Sequence, residues 1–72
     1  MTDTGDITIT VNGDARTVPA DLSVNALLDH FQIKRATAIV EHNREVLDRK
    51  FFDNTVVRDG DELEIVRFVG GG

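Results

Sequence analysis

The chain has 72 residues, 13 acidic and 8 basic, for a net charge of −5, and it has no cysteine. That length supports one small domain near the limit for a self-sufficient core. It has no disulfide or thiolate metal site, and its two histidines, His30 and His42, lack a ligand-spaced partner. The negative charge disfavours a phosphate backbone as partner, no apolar run approaches the ~20 residues of a membrane span, and the acidic stretch 1–6 is unlike a signal peptide, so a soluble, cytoplasmic protein is expected.

Residues 1–6 carry no large apolar group beyond Met1 and read as a flexible leader. Ile7, Ile9 and Val11 alternate with Thr8 and Thr10, the period of a half-buried strand. Asn12-Gly13 suits the positive φ angles of a two-residue hairpin, and Ala15 to Val18 returns antiparallel until Pro19, which cannot donate to a ladder. A helix follows: Ser23 is its N-cap, Leu22 can staple onto Leu27, and Val24, Leu27, Leu28 and Phe31 form one apolar stripe. Asp21, Asn25, Asp29 and His30 take the wet side. So short a helix is unstable alone in water, so its stripe must pack on the hairpin.

Ala38, Ile39 and Val40 make a third strand, and after a turn at Asn43-Arg44 the chain returns through Glu45-Val46-Leu47. Residues 48–58 are irregular, with Phe51 and Phe52 expected to pin a turn of helix against the core and Val56 and Val57 leading back to the sheet. Asp59-Gly60-Asp61 is the last turn. In the final strand Leu63 and Ile65 face the core, and Glu62, Glu64, Val66 and Phe68 face outward. The succession is compatible with a helix lying across one mixed sheet. The expected core is Ile7, Ile9, Val18, Leu27, Leu28, Phe31, Val40, Leu63 and Ile65.

No catalytic constellation emerges. Asp59 and Asp61 lack the further oxygens of a calcium loop, His42 fits a partly buried, hydrogen-bonded histidine, and there is neither a phosphate-cradling glycine loop nor a nucleophile elbow. The Glu62/Glu64 pair alone is a solvated strand edge. Val66 and Phe68 differ, because exposed apolar groups beside a terminus suggest docking; Phe68 folded back onto the sheet is the alternative. The strand runs into Gly70-Gly71-Gly72. Glycine has no Cβ, so such a tail can thread a channel too narrow for side chains, and three residues reach roughly 10 Å. Its cargo site would be the α-carboxylate of Gly72, which needs a leaving group such as AMP, supplied by a second protein using ATP, before it can accept a nucleophile. A frayed terminus or a cloning linker is the competing explanation.

The chain resembles the ubiquitin-like β-grasp sulfur carriers, specifically the ThiS group of thiazole (thiamine) biosynthesis. The resemblance is carried by Ile7 to Gly13, Ser23 to Leu28, Ala38 to Glu41 with Glu45-Val46, and above all Asp59 to Val66 followed by Val69-Gly70-Gly71-Gly72. It implies an α+β fold, a mixed sheet of about five strands with one main helix packed across it. Residues 7–69 would form the single domain and residues 70–72 the flexible tail. It also implies a carrier that is not itself an enzyme and binds no cofactor. A ThiF-type E1-like enzyme would adenylate Gly72 with ATP, a cysteine desulfurase would supply sulfur for a thiocarboxylate, and a ThiG-type thiazole synthase would take it. Gly70, Gly71 and Gly72 would enter partner active sites, with Val66, Phe68, Glu62 and Glu64 as the docking strand. The family often has Val-Pro-Arg where this chain has Leu47-Asp48-Arg49, and a tryptophan near Phe52, which leaves local packing open. Two rivals remain: the small subunit of molybdopterin synthase, and a ubiquitin-like modifier or non-covalent binding module.

Overall fold

The structure is a computed structural model, and it describes residues 5–68. The expected tail Gly70–Gly72 and all but the last two residues of the expected leader lie outside the described residues. β1 (Asp6–Val11) and β2 (Asp14–Pro19) form the first hairpin, closed by Asn12 and Gly13 at φ 51° and 87°. Asp6, assigned to the leader from sequence, is the first residue of β1 and pairs with Pro19. The helix α1 (Val24–His30) follows, then β3 (Ala38–His42), β4 (Glu45–Leu47) and β5 (Glu62–Arg67), with single 3-10 turns at Arg35–Thr37 and Arg49–Phe51. The second hairpin closes in the same way as the first, with Asn43 and Arg44 both at positive φ. Both turns thus have the twist that matches paired strands.

The strand order is β2-β1-β5-β3-β4. Only β1 and β5 run parallel, so the last strand lies in the middle of the sheet, between the two hairpins. α1 forms because Ser23 Oγ accepts a hydrogen bond from the Ala26 N–H and because Val24, Leu27 and Leu28 are buried against the sheet. Ile9, Val18, Val40, Leu63 and Ile65 meet that stripe from the strands. Ile7 and Phe31, expected in the core, are partly buried at its margin, as is Leu22.

The irregular segment corrects one expectation. Phe52 is 1% exposed and fills the core, whereas Phe51 is 48% exposed and pins nothing. Val57 is buried beside Phe52, while Val56 bridges to Ser23 at the surface. The departures at Leu47-Asp48-Arg49 are tied in by local hydrogen bonds. Asp48 caps the 3-10 turn, and Arg49 donates from Nε to the Arg35 carbonyl and from Nη2 to that of Ala38. Among the described residues no helix is long and apolar enough to cross a membrane.

Candidate functional site

β5 is held on both flanks almost to its end. On the β1 side the Thr10 and Asn12 amides donate to the Asp61 and Leu63 carbonyls, at 2.9 Å each. The Asn12 side chain then prolongs that ladder beyond the end of β1: its Oδ1 accepts from the Ile65 N–H at 2.7 Å and its Nδ2 donates to the Ile65 carbonyl at 3.1 Å. Asn43, in the other hairpin turn, accepts from the Glu62 N–H and donates to Asp61 Oδ1. The two turn asparagines therefore do more than supply positive φ, since each clasps the central strand. Sequence reading missed this role, because Asn12 and Ile65 are 53 positions apart. The last bond runs from the Phe68 N–H to the Thr37 carbonyl, so the chain is anchored up to the threshold of residues 69–72.

The start of β5 is fixed by the turn at Asp59-Gly60-Asp61. Asp59 Oδ1 accepts from the Thr8 N–H, and Gly60, at φ 87°, donates its N–H to the Thr8 carbonyl. Asp61 Oδ2 lies 2.8 Å from His42 Nε2 and also accepts from the Arg58 N–H. Burial alone raises the Asp61 carboxyl. The hydrogen bonds from His42, the Arg58 backbone and Asn43, with the charge of His42, outweigh that and hold it below its usual range. A depressed folded pKa gives stability that is present above the unfolded value near ~3.9 and is lost as pH falls through the folded one. Asp61→Ala is therefore expected to cost about 2 kcal/mol at neutral pH. The gap from wild type should narrow as pH falls below about 4 and the carboxylate is protonated. Urea melts of both proteins across that range check it; a gap independent of pH would contradict it.

The outward side of β5 carries the four residues expected there. Glu62, Glu64, Val66 and Phe68 are all exposed, Val66 at 55% and Phe68 at 45%, and neither apolar residue belongs to the core. Phe68 thus does not fold back into the interior. The register adds residues that sequence reading did not place on this face: Ile39 lies opposite Val66, Glu41 opposite Glu64, and Val46 opposite Glu41. Ile39 is 44% exposed and extends the apolar strip across two strands. Its position between buried Ala38 and Val40 was the available signal.

Glu41, Glu62 and Glu64 line one shallow depression of about 300 Å³, with Arg44 at its rim, 3.5 Å from Glu62. Like carboxylates opposite one another on neighbouring strands repel, which a basic partner surface would relieve. Among the described residues no group of three or more His, Asp or Glu is placed to hold a metal. This exposed face is apolar toward the strand exit and acidic toward the strand start.

A five-stranded mixed sheet with β5 at its centre and one helix across it defines a ubiquitin-like β-grasp protein. The family model for the ThiS family matches residues 9–72, and the chain belongs to that family. It is 36% identical over 50 residues to the sulfur carrier protein ThiS of Bacillus subtilis, covering 69% of this chain and 76% of that one. The crystal structure of the thiamine biosynthesis protein ThiS from Geobacter metallireducens superposes with a TM-score of 0.78 at 43% identity, over 92% of this chain and all of that one. A thiazole synthase of Paramagnetospirillum magneticum is 38% identical over 64 residues, 89% of this chain; the chain spans only 20% of that relative's length.

Proposed function

We propose that this chain is the sulfur carrier for thiazole formation in thiamine biosynthesis, loaded and unloaded at the Gly72 carboxylate by partner enzymes. The observation that carries the reading is the placement of β5: a central strand tied on its β1 side as far as Ile65 and on its β3 side up to Phe68, with the apolar strip Ile39, Val66 and Phe68 beside its exit. A rigid strand ending in a glycine tail offers a partner a fixed docking surface and a slim substrate. Fixing the docked end lowers the entropic cost of placing the carboxylate in an active site.

In this reading an E1-like enzyme catalyses attack of the Gly72 carboxylate on the α-phosphorus of ATP, and pyrophosphate leaves. The resulting acyl-adenylate is an electrophile. A persulfide made by a cysteine desulfurase attacks the carbonyl, AMP departs with one former carboxylate oxygen, and a thiol cleaves the S–S bond to leave the thiocarboxylate. ATP is the partner's substrate and the carrier binds no cofactor of its own. Thiazole synthase then accepts the sulfur and regenerates the carboxylate. The relative in which a similar segment occupies a fifth of a thiazole synthase supports that acceptor. The absence of cysteine supports loading at the C-terminus, since it leaves no side-chain thiol to carry sulfur.

The test is intact-protein and fragment mass spectrometry after incubation with the E1-like enzyme, ATP, cysteine and desulfurase. The expected gain is about 16 Da, oxygen replaced by sulfur, confined to Gly72. A gain on any side chain, or none, refutes the carrier reading.

A further inference from the structure

The acidic outer face has a counterpart of opposite charge on the helix side of the sheet. Beyond the C-terminal end of α1 lies a cleft of about 380 Å³ lined by Val11, Arg16, Phe31, Ile33, Ile65 and Arg67. Arg16 sits opposite Ile9 in the β1·β2 ladder, so its stem lies on the inner side, and its guanidinium is 5.9 Å from the centroid of the Phe31 ring. Arg67 reaches the same side because, two residues beyond Ile65 on β5, it shares the face of Leu63 and Ile65. Neither arginine has an ion pair among the described residues; the arginines that do are Arg35 and Arg44. Among the described residues no carboxylate lines the cleft, although acidic residues outnumber basic ones 13 to 8 in the chain.

Two unpaired guanidinium groups above a half-buried apolar floor match a carboxylate flanked by an apolar side chain. Each guanidinium can grip a carboxylate through two parallel N–H bonds, and the floor excludes water around them. The cleft also adjoins the exit of β5, so a protein that receives residues beyond Phe68 comes within reach of it. We infer that this cleft is a second docking site, which takes an acidic segment of thiazole synthase while the outer face of β5 serves the activating enzyme. The inference rests on the carrier reading. Two surfaces of opposite charge on opposite sides of one strand suit two different partners, and they let the chain pass from one to the other without either surface having to recognise both.

The experiment titrates purified thiazole synthase into the labelled full chain, at low and at physiological salt, for wild type and for the Arg16→Glu/Arg67→Glu double variant. A milder Arg16→Gln/Arg67→Gln variant covers the case in which charge reversal prevents folding. Affinity is expected to fall about tenfold or more in the double variants, and wild-type affinity to weaken with salt. Thiocarboxylate formation on the same variants by the E1-like enzyme should proceed as in wild type, which separates the cleft from the loading reaction. If the glutamine double variant binds thiazole synthase as tightly as wild type, the cleft is not a docking site. If it loses loading and synthase binding together, the proposed division between the two surfaces is wrong. Failure of the wild-type chain to acquire sulfur at all is the distinct signature that the carrier reading itself has failed.

Discussion

Deleting Gly72 is expected to abolish sulfur loading completely while leaving the melting temperature unchanged. Among the described residues the core runs from Ile9 to Ile65 and the β5 ladder ends at Arg67, which is the ground for expecting unchanged stability. In the proposed reading, what is lost is the carboxylate at the position an activating enzyme would have to reach. Gly71→Ala is the graded version: one methyl group meets the walls of a partner's channel, so adenylation should slow while affinity stays near wild type. Phe68→Ala should fail the other way. Its ring is exposed and outside the core, and if it anchors the complex its truncation should weaken binding to the activating enzyme by about 1–3 kcal/mol. Melting temperature, affinity and adenylation rate for the three variants distinguish these roles. A strongly lowered melting temperature for Phe68→Ala with unchanged affinity would remove Phe68 from the docking face.

The second large effect falls on stability. Phe52→Ala removes the largest fully buried side chain, and such a truncation costs about 3–5 kcal/mol through lost burial and the cavity left behind. A domain of this size is stable by something on the order of 4–11 kcal/mol in total. The variant should therefore melt more than about 12 °C lower, or be largely unfolded at physiological temperature. The Arg35 guanidinium, 5.8 Å from the Phe52 ring centroid and 3.6 Å from Asp53, caps that site and would lose its aromatic support. Phe51→Ala is the paired control. Its ring lies at the surface under Lys50, and the change should stay within about 0.5 kcal/mol. Equal losses at the two positions would contradict the packing described here.

The contrast between these adjacent phenylalanines marks where sequence reading stopped. Residues 48–58 have neither the period of a strand nor that of a helix, so nothing local says which ring turns inward. Where a period exists, the reading was direct. Alternation along 62–68 separated buried Leu63 and Ile65 from exposed Glu62, Glu64, Val66 and Phe68, because successive strand side chains must point to opposite faces. The first turn followed from Asn12-Gly13 and the helix start from Ser23, since a positive φ and an unsatisfied N–H are local demands met by particular residue types.

By itself, then, the sequence determined the strands and the helix and, where a period exists, which faces turn inward; its resemblance to the sulfur carriers made the glycine end the expected place of chemistry. Only the tertiary structure decided what surrounds the strand that leads there. The parallel pairing of β1 with β5, the grip of Asn12 on Ile65 and the meeting of His42 with Asp61 each join residues far apart in the chain. The opposed acidic and basic surfaces arise in the same way, from Glu41 beside Glu64 on one side and Arg16 near Arg67 on the other. Such contacts leave no periodic trace, because what places them is the order of strands in the sheet rather than the conformation of any single strand.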